Sequence, residues 1–231
     1  MERGDSMRQK INHGSDKIIE KPLYGYGKSY NDYGVGFYCT KDINMAKEWG
    51  VGFNRDGYAN CYEIDTEELN ILNLCDEKYC ILHWLALLLK NREFDISSAL
   101  AMEAREYILA NFLIDCDQYD IIIGYRADDS YFSFAQDFIN GTISYRQLSN
   151  AMYLGELGEQ FVIKSKRAFD SIEFEGYQVS RSDEWYIKKM IRDKNARREY
   201  LDTERYKRQK GDIYIMQILD EEMGEDDARL R

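Results

Sequence analysis

Ile11-Asn12-His13-Gly14-Ser15 and Gly34-Val35-Gly36-Phe37-Tyr38-Cys39-Thr40 are the two most informative stretches of this chain. The first predicts a short β-strand over residues 9–13 that ends near its glycine. The second predicts a strand over residues 35–40 that leaves a turn rich in glycine and tyrosine. Two early strands that each carry a glycine beside a ring side chain indicate a place where a ligand can approach the backbone closely.

A helix follows the second strand over residues 42–50. Ile43 and Trp49 have nearly helical spacing, and either Asp42 or Thr40 could cap the first turn. The chain therefore passes from a strand into a helix that presents an aromatic side chain near its end.

The other elements do not alternate regularly between strand and helix, which predicts an α+β fold. We predict further strands at 62–64, 69–74, 119–124, 160–165 and 171–178, and helices at 78–91, 96–112, 131–139, 144–153, 183–210 and 212–223. Charge becomes dense after Ser182, which divides the chain into a main domain over 9–180 and a charged helical extension over 181–231. We expect the last eight residues to be frayed.

The composition predicts a packed domain rather than a disordered chain, since 44% of the 231 residues are hydrophobic and 14% are aromatic. A net charge of −11 provides no general attraction to nucleic acid or to an anionic membrane. No run of about 18 apolar residues is present, so we predict no membrane segment. The polar start has no apolar signal-peptide core, and we predict a cytoplasmic protein.

Five cysteines, an odd number, favour reduced thiols over a disulfide framework. Cys75 and Cys80 lack a second cysteine pair and nearby histidines. We therefore predict no metal site.

His13 is one of only two histidines, and it precedes Gly14 and Ser15. One interpretation is a structural histidine beside a turn. The other is a ligand site, because the glycine lets backbone N–H and C=O groups approach a planar ligand such as the carboxamide of nicotinamide. The imidazole could then form a hydrogen bond to a ribose hydroxyl.

Tyr38 and Trp49 are eleven positions apart. Either could be an ordinary core residue. Together, two aromatic faces can hold a pyridinium ring by stacking and by a cation–π attraction of about 0.5–2 kcal/mol per face. The pair predicts a nicotinamide clamp.

With these residues the chain resembles the ADP-ribosyltransferases of the His-Tyr-Glu branch, the type of poly-ADP-ribose polymerases and diphtheria toxin. More closely, it resembles a bacterial domain family of that superfamily, from about residue 11 to about residue 175. The motifs that carry this resemblance are His13 to Ser15, Ile19 to Pro22, Asp32 to Thr40, Trp49 after an alanine, and Ile123 to Asp129. The resemblance implies a split β-sheet core with inserted helices, and NAD as the substrate.

In that branch, a glutamate on a late strand holds a ribose hydroxyl. The matching position here is Gln160, with Glu159 one residue earlier, and strand neighbours face opposite sides. A neutral glutamine cannot stabilise positive charge as a carboxylate does. The change favours single transfer or weak activity over chain elongation, and it leaves Glu159, Asp128 and Asp129 as alternatives for the third catalytic residue.

Arg126 and Lys28 are candidate contacts for the pyrophosphate of NAD. Asp128 and Asp129 could instead form a solvated turn or cap the next helix. The candidate NAD-binding set is therefore His13, Gly14, Ser15, Lys28, Tyr38, Trp49 and Arg126, and the resemblance implies a catalytic set of His13, Tyr38 and Gln160.

The resemblance implies an NAD-dependent mono-ADP-ribosyltransferase that acts on a macromolecular acceptor, either protein or nucleic acid. It also implies a role as a bacterial toxin or phage-defence effector, delivered in some cases to a target cell. Two alternatives remain open: a catalytically weak module that binds NAD or ADP-ribose, and a partner-docking protein of a toxin–antitoxin system. The sequence does not identify the acceptor.

Overall fold

The computed structural model describes residues 8–127, 129–152, 158–205 and 207–231. Its strands are β1 (Arg8–Ser15), β2 (Phe37–Cys39), β3 (Gly57–Asp65), β4 (Ile71–Asn73), β5 (Ile121–Tyr125), β6 (Glu159–Ile163) and β7 (Ile172–Ser180). Its α-helices are α1 (Ile43–Gly50), α2 (Ile81–Asn91), α3 (Ala99–Phe112), α4 (Asp129–Ile139), α5 (Tyr145–Ala151), α6 (Lys166–Asp170), α7 (Ser182–Glu199) and α8 (Ile215–Asp220). A π-helical segment (Tyr200–Arg205) and a 3₁₀ turn (Ala228–Leu230) complete these elements.

The strands form two sheets, and the α+β prediction is confirmed. One sheet is antiparallel in the order β1-β3-β7, and the other has the order β2-β6-β5-β4 with a parallel pair between β4 and β5. Asn12 on β1 and Thr40 after β2 exchange two backbone hydrogen bonds of 2.8 and 2.9 Å, which join the sheets at one point. The predicted strands 9–13 and 35–40 therefore meet.

The larger part of the core surrounds α2. Every residue from Ile81 to Leu89 is buried, because this helix packs between the second sheet and α3, and a helix that is apolar on all sides belongs inside a core. A smaller cluster lies between the two sheets and includes Ile11, Phe37, Tyr62 and Phe161.

Several predicted boundaries were wrong. β3 begins at Gly57 rather than at residue 62, and the short helix α6 was not predicted. The predicted helix 183–210 is α-helical only to Glu199. The prediction that the last eight residues are frayed was wrong for Leu230. Its side chain is fully buried, and its carbonyl oxygen accepts a hydrogen bond from the Tyr145 hydroxyl.

Helix α7 packs against α1 through a buried ion pair. Arg192 Nε lies 2.8 Å from Glu48 Oε2, and both side chains are mostly buried. Trp185 on α7 contacts Lys47 by a cation–π interaction of 4.9 Å. The predicted domain boundary at 180/181 falls between β7 and α7, and these contacts hold α7 onto the main domain.

Among the helices of the described ranges, none combines the length and apolar character needed to cross a bilayer.

Candidate functional site

A cavity of about 940 Å³ lies at the junction of β1 and β2. All eight residues of the predicted substrate-binding and catalytic sets line it: His13, Gly14, Ser15, Lys28, Tyr38, Trp49, Arg126 and Gln160. Its size is near the upper end of the roughly 300–1,000 Å³ typical of small-molecule sites. Residues from six separate stretches of the chain thus converge on a single concave site.

His13 is oriented by the backbone of β2. Its Nδ1 lies 2.7 Å from the carbonyl oxygen of Tyr38, so Nδ1–H is the donor. Its ring stacks on Phe37 with centroids 4.4 Å apart. Burial lowers the pKa of His13 below its ordinary value, which favours the neutral ring. In that tautomer Nε2 is an acceptor, which suits a hydroxyl group of a ligand.

The Tyr38 hydroxyl is held by the turn that precedes β2. It accepts a hydrogen bond of 3.0 Å from Tyr33 N–H and donates one of 2.7 Å to the carbonyl of Gly34. Gly34 has φ of +70°, which favours glycine. Desolvation raises the pKa of Tyr38, so the phenol stays protonated. The ring, not the hydroxyl, is therefore the part of Tyr38 available to a ligand.

Trp49 and Arg126 contact each other inside the cavity. The Arg126 guanidinium carbon lies 4.5 Å from the centre of the Trp49 ring, within the range of a cation–π interaction. Arg126 was predicted to bind a pyrophosphate; here it covers Trp49, and it also contacts the sulfur of Met45 at 3.8 Å. The Trp49 indole N–H is buried and has no hydrogen-bond partner among the described residues.

Gln160 and Glu159 face opposite sides of the second sheet. Gln160 is 5% exposed and lines the large cavity. Glu159 is exposed and lines a separate pocket of about 340 Å³. Of the alternatives for the third catalytic position, Asp128 lies outside the described residues, and of Asp129 only the backbone, at the start of α4, is described.

Asp32 and Arg92 also line this cavity, and sequence reasoning did not include either in the site. Asp32 is 5% exposed, and its Oδ1 lies 2.8 Å from Arg92 Nη1. Its Oδ2 accepts hydrogen bonds from Ala127 N–H at 3.0 Å and from Gln160 Nε2 at 3.3 Å. Desolvation raises the pKa of Asp32, and its hydrogen-bond donors oppose that rise. The cavity therefore contains a buried carboxylate that directly contacts Gln160.

Gly14 is required by packing rather than by ligand approach alone. A Cβ atom at this position would lie 2.1 Å from the carbonyl oxygen of Ala46 and 2.6 Å from Cβ of Trp49. The close approach of β1 to α1 thus depends on this glycine. Next to it, Ser15 Oγ accepts a hydrogen bond of 3.3 Å from Lys17 N–H, at the start of the loop.

The wall of the cavity is more basic than the protein as a whole. Six basic and four acidic side chains line it, although the chain carries a net charge of −11. The basic residues are Lys17, Lys21, Lys28, Arg92, Arg126 and Lys189. Lys28 is exposed, with its Nζ 5.5 Å from the Tyr30 ring. A local excess of positive charge favours an anionic ligand.

Within the described ranges, no three His, Cys, Asp or Glu side chains are arranged to hold a metal ion. The second histidine, His83, is 3% exposed on α2. Its Nδ1 lies 3.4 Å from the sulfur of Cys80 and its ring packs edge-on against Phe112.

A family model described as a protein of unknown function, DUF3990, matches residues 9–174. No curated protein and no solved structure matches the chain. The matched range ends inside β7 and contains most of the cavity lining. Lys189 and Asp193 on α7, which also line the cavity, lie beyond it.

Proposed function

This chain belongs to the DUF3990 family of proteins of unknown function, and we propose that it is an NAD-dependent mono-ADP-ribosyltransferase. In this proposal the two sheets form an ADP-ribosyltransferase-like core. ADP-ribose is transferred to a macromolecular acceptor, and the biological role is that of a bacterial toxin or phage-defence effector.

The observation that carries the proposal is the convergence of the predicted residues. His13, Tyr38, Trp49 and Gln160 are up to 147 positions apart in sequence, yet all line one cavity. They belong to separate sequence motifs, and only Tyr38 and Trp49, eleven positions apart, are related by a local spacing. A concave pocket on which several polar and aromatic side chains converge is the usual form of a small-molecule site.

The chemistry of the lining suits the parts of NAD. His13 offers Nε2 as an acceptor for a ribose hydroxyl, and Gln160 has a buried Oε1 with no partner among the described residues. Trp49 has a buried N–H without a partner in the same ranges. The excess of basic side chains suits a pyrophosphate. Buried polar atoms without partners are costly, and a polar ligand would satisfy them.

NAD, as the substrate, provides ADP-ribose when its nicotinamide–ribose bond breaks and a nucleophile of the acceptor bonds to the ribose carbon. Tyr38 and Trp49 would hold the nicotinamide ring, and Gly14 its carboxamide. His13 would fix the adenosine-side ribose, and Gln160 the ribose that is transferred. The protein contributes positioning, together with a fixed distribution of charge around the reacting ribose.

Gln160 favours single transfer over chain elongation. An amide side chain can accept a hydrogen bond from a ribose hydroxyl, but it carries no charge of its own to stabilise positive charge on the ribose. We therefore propose mono-ADP-ribosylation.

A second candidate function is a module that binds NAD or ADP-ribose without turnover. Two observations favour it: the neutral Gln160 at the late-strand position, and Arg126 covering a face of Trp49 where nicotinamide would bind. In that case the cavity recognises the ligand but does not promote cleavage.

Release of nicotinamide from NAD by the purified protein tests the proposal. The His13→Gln variant should lose this activity, because glutamine does not reproduce the imidazole acceptor held by the Tyr38 carbonyl. The matched control is His83→Gln, a substitution of the other histidine, which lies outside the cavity. NAD binding without release in the wild type would favour the module. A wild-type protein that neither binds NAD nor releases nicotinamide would exclude both functions.

A further inference from the structure

Asp32 is surrounded by hydrogen-bond donors. Arg92 Nη1, Ala127 N–H and Gln160 Nε2 lie 2.8, 3.0 and 3.3 Å from its two carboxylate oxygens. All three groups can only donate. This arrangement suits an ionised carboxylate, and it places a negative charge against the side chain of Gln160, deep in the cavity wall.

Gln160 is satisfied at one end of its amide only. Its Nε2 donates to Asp32, whereas its Oε1 is buried and has no hydrogen-bond partner within the described ranges. A donor brought by a ligand would complete the hydrogen bonding of this group, which is otherwise costly to bury. The hydroxyl of a ribose is such a donor.

We propose that Asp32 is a positioning residue that gives Gln160 the role a charged side chain would have. The Asp32 carboxylate holds Nε2 and polarises the amide, so that Oε1 becomes a stronger acceptor for the hydroxyl of the ribose that is transferred. This inference rests on the proposed function, since it assigns the ribose of NAD to Oε1.

The physical basis is polarisation through a hydrogen-bonded chain. Hydrogen bonds in series strengthen one another in a low-dielectric interior. A carboxylate at Nε2 therefore increases the negative partial charge on Oε1 while Gln160 remains neutral. Arg92, at 2.8 Å, anchors Asp32 and opposes the rise in the Asp32 pKa that burial causes. The other titratable groups that act on Asp32 electrostatically are Arg126, Tyr33 and Tyr38.

A purely structural role for Asp32 would also account for part of this geometry. Asp32 joins the turn before β2 to the end of α2 and to the segment after β5, so its loss could simply loosen the cavity. The test must therefore separate turnover from stability.

The first test compares Asp32→Asn with Asp120→Asn. Asp120 is also a buried aspartate, 6% exposed, and it is bonded to Arg167, Ser165 and the backbone of Asn70 away from the cavity. We expect Asp32→Asn to lower kcat for nicotinamide release roughly 10- to 100-fold, with KM changed by less than about threefold. Asp120→Asn should lose stability but keep the wild-type kcat.

The second test uses Gln160→Glu, which places two carboxylates at hydrogen-bond distance. Two such groups cannot both ionise easily, so the pair shares one proton. We expect kcat of this variant to fall by about tenfold per pH unit above the upper pKa of the pair. The wild type and the double variant Asp32→Asn, Gln160→Glu should lack this transition. Affinity for ADP-ribose, measured by calorimetry across pH, should show the same pattern without requiring turnover.

The outcomes separate the two proposals. If the wild type releases nicotinamide and kcat of Asp32→Asn is no lower than kcat of Asp120→Asn, the role of Asp32 is overturned. The proposed transferase function then still stands. The role of Asp32 is also overturned if the affinity of Gln160→Glu for ADP-ribose shows no pH transition that the wild type lacks. ADP-ribose binding without turnover would remove the transferase, and the calorimetric pH pattern would then decide the role of Asp32. A wild type that neither binds nor cleaves would overturn both.

Discussion

His13 Nδ1 donates a 2.7 Å hydrogen bond to the main-chain carbonyl of Tyr38. The residues that would hold the adenosine-side ribose and the nicotinamide ring of NAD are thus joined by a hydrogen bond. A shift of β2 would rotate the imidazole at the same time as it moves the tyrosine ring. The two contacts should consequently fail together when either strand is disturbed.

Protein stability should decrease in mild acid because of His13. The unfolded chain binds a proton at the ordinary pKa of 6.5, whereas burial lowers the pKa in the folded state. Below that ordinary pKa the unfolded state binds more protons, so the free energy of unfolding falls with pH until the folded-state pKa is passed. Urea denaturation across this range should show a smaller fall for His13→Gln. An equal fall in both proteins would contradict the shift.

Removing the hydroxyl of Tyr38 should affect stability more than ligand binding. Tyr38→Phe leaves the N–H of Tyr33 and the carbonyl of Gly34 without their partner, at a cost of about 1–3 kcal/mol. The aromatic face remains, so NAD affinity should change little. Tyr38→Ala should reduce both. Denaturant titration and calorimetry distinguish the two effects, and a large loss of affinity in Tyr38→Phe would assign the hydroxyl to the ligand.

Gly14→Ala should destabilise the protein by about 2–3 kcal/mol. The new methyl group would overlap the carbonyl oxygen of Ala46, at 2.1 Å, and force α1 away from β1. Gly224→Ala is the matched control, since nothing lies within 4 Å of the added atom. Thermal unfolding of both variants checks the prediction, which fails if the two midpoints are equal.

Glu48→Gln should destabilise the protein by about 3 kcal/mol, because it removes the carboxylate charge that lies 2.8 Å from the mostly buried Arg192. NAD affinity should fall too, since the pair joins α7 to the helix that carries Trp49. Asp170→Asn breaks an exposed pair with Lys166 and should cost less than about 1 kcal/mol. Similar free energies of unfolding for the two variants would show that the buried pair contributes little.

The regular elements that carry His13, Tyr38, Trp49 and Gln160 could be predicted because their side-chain periods are visible in the sequence. Strand alternation alone separates Gln160 from its neighbour, and the structure places them on opposite faces. The predicted length of β3 was wrong, because the strand begins at Gly57. Asn60 is a fully buried polar residue in that strand, and its amide bonds the backbone of the loop after β1, so hydrophobic alternation could not reveal it.

Asp32 and Arg92 could not be predicted as a pair, because they are 60 positions apart and no local period relates them. Asp32 lies among turn residues and looks solvated in sequence. Its burial arises only when the end of α2 and the segment after β5 close over it. The available signal was weak: an aspartate inside the motif before β2, and an arginine directly after a wholly apolar helix.

Helix α7 lies outside the range of residues that the family model matches. The region shared by the family stops at residue 174, partway along β7 (Ile172–Ser180), whereas Lys189 and Asp193 complete the cavity wall from α7. A fragment cut at that limit would lose most of an edge strand and one side of the pocket. Helix α7 thus supplies part of the cavity wall from outside the matched region, so a protein prepared for ligand-binding experiments must include it.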